Sequence, residues 1–124
     1  MQYMLLTYLD EKAWLSLSEA QRQEIVAEPM QYVRKLAADG KFLGGAPLDP
    51  TSDASTVRVR DGKKLVTDGP FAETREQVGG YTLIEAKDRE EAIAIASGFM
   101  GFSSLATIEV RRVTRVEGLP PYTG

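Results

Sequence analysis

The opening run Met1-Gln2-Tyr3-Met4-Leu5-Leu6-Thr7-Tyr8-Leu9-Asp10 constrains the fold more than any other stretch. Read as a strand, it turns Tyr3, Leu5 and Leu9 to one face and Met4, Leu6 and Tyr8 to the other. A strand that meets water on one side shows polar residues there, so this one calls for cover on both faces. A layer of helices covers one. The economical cover for the second is another copy of the chain, packed sheet to sheet in a homodimer. Thr107, Glu109 and Arg111, the polar face of the last strand, would then line the edge of that interface or a cavity within it.

The rest of the chain supplies the helices. Ser18 with Gln21 three residues on is a capping-box pattern. Val26, Met30, Val33 and Ala37 follow as one apolar stripe, with Ile25 and Leu36 beside it, up to a stop at Gly40. Pro29 inside this stripe predicts a kink or a restart of the helix. Lys41–Leu48 reads as a strand with an irregularity at Gly44-Gly45. Thr56–Arg60 and Lys64–Thr67 flank Asp61-Gly62, a strong hairpin signal, and Asp68-Gly69-Pro70 makes a second turn. Gly80–Ala86 is a strand with Tyr81, Leu83 and Glu85 opposite Thr82, Ile84 and Ala86. Asp88 with Glu91 predicts a second capping box. The helix behind it runs from Arg89 to about Phe99 with Ala92, Ile95, Ala96 and Phe99 inward. Thr107–Val113 is the last strand.

The order strand, helix, strand, hairpin, strand, helix, strand predicts an α+β domain: a ferredoxin-like split βαβ sheet with helices on one face and an inserted β-hairpin. No linker divides the 124 residues, so one domain over 1–124 is expected, with 114–124 an irregular tail that wraps over the domain or docks on a partner. A chain of this size buries roughly two-thirds of its unfolded surface and needs no metal or disulfide to fold.

Composition narrows the chemistry. The chain has no cysteine and no histidine, which excludes thiol chemistry, Cys or His metal sites and His-dependent acid–base steps. Carboxylates, Lys, Arg, Tyr, Ser and Thr remain. A net charge of -3 disfavours nonspecific nucleic-acid or anionic-membrane binding. The N-terminus lacks a basic leader and Ala92–Phe102 is too short to span a bilayer, so a cytoplasmic protein is the expectation. Gly44-Gly45 lacks the spacing of a phosphate-cradling loop, and Asp49, Asp53 and Asp68 lack that of a calcium loop; no cofactor and no metal are expected. Arg58, Arg60, Lys63 and Lys64 read as solvated hairpin charges. Trp14 reads as a packing anchor or a residue at a pocket or subunit boundary.

The most distinctive segment is Asp68-Gly69-Pro70-Phe71-Ala72-Glu73. Its plain reading is an ordered turn: Asp68 bonds forward to the turn backbone, Gly69 permits positive φ, Pro70 fixes its own φ and Phe71 anchors the loop in apolar surface. Its sharper reading puts Asp68 and Glu73 at the mouth of a pocket as an acid–base pair. Gly69, Pro70, Phe71, Arg75, Tyr81 and Arg111 would be the binding residues, with Arg75 or Arg111 stabilising an anion.

That hexapeptide, with Thr74 to Gln77 and Gly79-Gly80-Tyr81 after it, resembles the signature of DGPF-domain proteins of the YCII-related superfamily. Val57–Lys63 and Met1–Tyr8 resemble the same family, and the similarity runs to about Val113. The resemblance implies a dimeric α+β barrel and a bacterial protein whose relatives mostly lack an assigned activity. Some relatives accompany or are fused to extracytoplasmic-function sigma factors. In YCII proteins proper a His–Asp pair is the proposed active site, and one relative is a dehydrochlorinase. That His would fall near Pro29–Gln31, where this chain has none, so the chemistry does not carry over. Two functions stand open: a small homodimer that binds a small molecule or partner, with a regulatory role, or a cofactor-independent enzyme using Asp68 and Glu73 on a small metabolite. An assembly role for the hexapeptide is a third.

Overall fold

The structure, a computed structural model, describes residues 1–100 and 105–122. Gly101 and Phe102, which end the long apolar stretch, and the last two residues of the tail lie outside the described residues. The elements are β1 (Gln2–Asp10), α1 (Glu11–Leu15), α2 (Glu19–Ala27), α3 (Met30–Ala38), β2 (Phe42–Pro47), a 3₁₀ turn (Thr51–Asp53), β3 (Ser55–Arg60), β4 (Lys63–Asp68), β5 (Glu76–Glu85), α4 (Arg89–Met100) and β6 (Ala106–Arg112).

Four strands form one sheet in the order β2-β5-β1-β6, and β3 pairs only with β4. Every pairing in the large sheet is antiparallel. This α+β architecture is compatible with the expected ferredoxin-like split βαβ. Tyr3, Leu5, Ile84 and Ala86 meet Leu36 of α3 and Ala92, Ile95 and Ala96 of α4 in a single core on one face of the sheet. Leu5 and Ile84 are the largest side chains fully closed off from water. Each such burial stabilises the fold by about 1.5–3 kcal/mol.

Local chemistry sets the helix ends. At α2 the Gln21 amide donates to Ser18 Oγ (3.1 Å) and the Ser18 amide to Gln21 Oε1 (2.9 Å), completing the predicted capping box. Pro29 restarts the helix: α3 begins at the next residue, and Val33 donates its amide to the Pro29 carbonyl at 2.9 Å. At its far end Gly40 takes φ +72°, and the Gly40 and Lys41 amides reach back to the carbonyls of Ala37 and Leu36. That double return is a Schellman ending, which needs a residue tolerant of positive φ. Asp88 caps α4 through the Glu91 amide (2.9 Å), but Glu91 reaches back to the Lys87 amide, one residue earlier than a capping box requires.

Several expectations change. α1 is a separate short helix that the apolar pattern does not reveal. It is capped by Asp10, whose Oδ1 accepts the Ala13 amide at 3.2 Å. In the stripe of the first long helix, Leu36 is buried and Ala37 is exposed. β5 starts at Glu76, four residues before the predicted Gly80, and the irregularity in β2 is a register shift between Phe42 and Gly44. Asp61 (φ 52°) and Gly62 (φ 74°) make the predicted hairpin turn.

Beyond β6, residues 113–122 form no helix or strand. The Val113 amide donates to the Gln2 carbonyl (2.9 Å), and the chain then turns at Gly118. Tyr122 lies over Gly44, so close that a Cβ there would overlap its ring, and shares a hydrogen bond with Tyr81. The tail thus leaves one edge strand and ends on the other, on the sheet face opposite the core. It wraps over its own domain.

Candidate functional site

A cavity of about 540 Å³ lies between the sheet and the helices. Leu5, Thr7 and Leu9 of β1 and Thr82 of β5 form its floor, while Val26 of α2 and Met30 and Val33 of α3 face them. It exists because the helices stand off the sheet here. α2 buries no residue, and Val26 and Met30 stay more than a third exposed although they point at the sheet. The walls are mostly apolar, with Thr7 and Thr82 among the residues of the floor.

Glu11, Trp14 and Asp49 stand at the margin of this space. Glu11 is already engaged: it accepts the Thr51 amide at 3.1 Å and the Thr51 hydroxyl at 2.7 Å. It thereby ties α1 to the 3₁₀ turn and fixes that margin. Trp14 also lines a shallower groove beside α2, in keeping with its reading as a residue at a pocket boundary.

The segment 68–75 is elsewhere. Asp68 ends β4 opposite Ser55. Gly69 takes φ +89°, donates its amide to the Ala54 carbonyl (2.7 Å) and accepts the Thr56 hydroxyl on its own carbonyl (2.8 Å). The turn is therefore ordered by Gly69 and Thr56 rather than by a bond from Asp68. Pro70 is half-buried, but Phe71 is 78% exposed and anchors nothing in this chain. Gln77 holds the far side of the loop, donating to the carbonyls of Ala72 (3.2 Å) and Thr74 (3.1 Å). Asp68 and Glu73 are exposed, and no residue from 68 to 75 lines the cavity. Arg75 reaches back to Asp10, Nε to Oδ2, at 3.4 Å. The Ala13 amide, and after it Arg75, draw the Asp10 carboxyl below its usual range.

Arg111 lies at a third place, the outer face of the sheet, to which Tyr81, although also a residue of the cavity lining, turns its hydroxyl. Tyr81 bonds Tyr122 there. Tyr8, two residues along β1 from Leu6, the residue paired with Tyr81, donates its hydroxyl to Glu109 Oε1 at 3.2 Å. Desolvation, and then the Glu109 carboxylate, hold the Tyr8 phenol above its ordinary value, with Arg111 pulling the other way. Thr107 Oγ1 donates to Glu76 Oε1 at 3.1 Å. The polar residues of β6 therefore do cluster on one face, with Tyr8, but Asp68 and Glu73 are not among them.

Sequence reasoning missed Thr7, Glu11, Met30 and Thr82 as cavity residues. Met30 and Val33 had been placed on the correct stripe, and only the space they face was invisible. Among the described residues no group of three or more carboxylates converges as a metal site, and no helix is long and apolar enough to cross a membrane.

Residues 1–117 match the family model of the YCII-related domain. The chain is also 35% identical over 112 residues to an uncharacterized protein of Rhizobium meliloti (strain 1021), an alignment that covers 90% of each chain.

Proposed function

The chain belongs to the YCII-related family, and we propose that it binds a small, predominantly apolar molecule in the cavity between its sheet and helices α2 and α3. The observation that carries this reading is a partly open cavity of about 540 Å³ lined mostly by aliphatic and aromatic residues, with Thr7 and Thr82 in its floor and Glu11 and Asp49 among the lining. The mostly apolar lining favours a predominantly apolar ligand, and the carboxylates Glu11 and Asp49 at its margin disfavour an anion. The protein works as a homodimer in this reading, packed through the outer face where Met4, Leu6 and Tyr8 are half-buried rather than covered. Acid–base chemistry by Asp68 and Glu73 on a bound molecule would require a second chain or a loop movement to bring them to it.

The test is thermal stabilisation by a series of substituted benzenes and n-alkanols, with Trp14 fluorescence as the second signal. Saturable stabilisation of the wild type is expected, and its loss in Val33→Phe and Met30→Trp, which fill the cavity. Asp68→Asn should bind as wild type does. If no probe shifts the wild type, or both filled variants bind undiminished, the cavity is not a binding site.

A further inference from the structure

The margin of the cavity carries charge of one sign. Of the titratable groups on the lining, Glu11 and Asp49 are acids, and Tyr81 turns its hydroxyl away to Tyr122. None of the chain's 15 basic residues is among them. Glu11 and Trp14 lie three residues apart on α1, the spacing that sets two side chains on one face of a helix. Asp49 is brought to the same margin by its neighbours. The Leu48 amide donates to the Gly79 carbonyl of β5 at 2.8 Å. On the other side of Asp49, the Thr51 amide and hydroxyl hold the Glu11 carboxylate. At most about 7 Å of backbone therefore separates Asp49 from the residue that Glu11 grips. Asp49 itself is exposed and takes part in no ion pair among the described residues.

Two carboxylates and an indole at the rim of an apolar space suit one class of ligand. Neighbouring carboxylates repel each other, and a cation beside them relieves that repulsion. Each carboxylate oxygen has two lone pairs, so Glu11 keeps acceptor capacity after Thr51 has taken its share. An indole face attracts an organic cation through its quadrupole. A metal ion is poorly served, since no third carboxylate joins the pair among the described residues. We infer that the ligand of this cavity is an organic ammonium ion on an apolar body, an alkyl or arylalkyl amine. Its hydrocarbon lies between Leu5 and Leu9 of the floor and Val33 of α3, and its ammonium group stays at the margin with Glu11, Trp14 and Asp49. At that open margin the charge keeps part of its hydration, so the site does not have to repay a full desolvation. The inference rests on the cavity reading above and adds to it the charge of the head group.

The experiment is calorimetric titration of the full chain at neutral pH with three probes that share a phenyl ring on a propyl chain: 3-phenylpropylamine, 3-phenylpropan-1-ol and 3-phenylpropanoate. The amine should bind about tenfold more tightly than the alcohol, and the carboxylate more weakly than either. Added salt should shrink the preference for the amine. Glu11→Gln/Asp49→Asn, which keeps an acceptor for Thr51, should bring the amine down to about the affinity of the alcohol. Glu90→Gln/Glu117→Gln removes the same charge from exposed positions off the lining and should keep the wild-type preference. Thermal unfolding confirms that each variant folds. Amine and alcohol of equal affinity in the wild type refute the ammonium and leave the cavity reading standing. An amine preference that survives Glu11→Gln/Asp49→Asn does the same, because it would come from the diffuse field of a chain with net charge -3. An amine that still binds Val33→Phe when the alcohol does not lies outside the cavity and also refutes the inference. If none of the three probes binds, the cavity reading falls with it.

Discussion

Replacing Gly98 by alanine sets two effects against each other inside α4. In a helix interior the change alone is worth about 1 kcal/mol in favour of alanine. Here the new Cβ would overlap the hydroxyl and ring of Tyr32, which lies against Gly98. Tyr32 is not free to swing away at no cost. Its hydroxyl donates to the Ile95 carbonyl at 2.8 Å, and its ring meets Phe99 edge-on at 4.9 Å and 76°. Moving it forfeits a hydrogen bond worth about 0.5–1.5 kcal/mol. The aromatic contact contributes a further ~0.5–1.5 kcal/mol. Leaving it in place strains the packing by about 1–3 kcal/mol. At mid-range either loss is about 2 kcal/mol against a helix gain of about 1, so Gly98→Ala should destabilise the protein by about 1 kcal/mol. Urea unfolding measures this as a lower midpoint at unchanged slope. In a Tyr32→Leu background the sign should reverse, because only the helix term remains, and the double-mutant cycle reads the coupling directly. A Gly98→Ala protein as stable as wild type would show that Tyr32 does not occupy the space beside the glycine.

Gly69→Ala should cost about 1–2 kcal/mol from backbone strain, since φ there is +89° and no atom lies within 4 Å of the added carbon; stabilisation by a cavity ligand should survive, and its loss would place the loop in the site after all. Tyr8, Tyr32 and Tyr122 are held above the ordinary phenol range, by desolvation and Glu109, by burial, and by the bond to Tyr81 respectively. Phenols whose folded values are raised contribute stability that is complete below the unfolded value near 10 and is lost as pH climbs through the folded one. Absorbance titration should therefore show late-ionising tyrosines that merge with the ordinary ones in urea, and Tyr8→Phe should remove one of them; a native titration identical to the urea one would refute the assignment.

The parts legible in the sequence were those whose cause is local. Ser18 and Gln21 sit three residues apart whatever surrounds them, and Asp61-Gly62 forms its turn from its own backbone preferences. Strand faces were legible too, because the alternation of Tyr81, Leu83 and Glu85 with Thr82, Ile84 and Ala86 follows from the pleat. The cavity was not. An apolar stripe says which way Val26, Met30 and Val33 point, and is the same whether they touch the sheet or face a gap. α1 was missed because five residues are too few to show a period. The exposure of Phe71 was misjudged for a related reason: an apolar residue in a turn does not encode whether surface lies within its reach. The path of residues 113–122 depends on the distant Gly44 and Tyr81, which no periodicity connects to the tail.

Gly44 and Tyr122 have a consequence for how this sequence can drift. The glycine is the socket and the tyrosine the plug, 78 positions apart in the chain and in contact across the sheet face. A side chain at 44 is tolerable only when position 122 shrinks or the tail lifts away, so the two positions cannot vary independently. Among homologues that keep the tail in this path, glycine at the first should accompany a large ring at the second. Where the ring is gone, alanine or serine should appear in the strand.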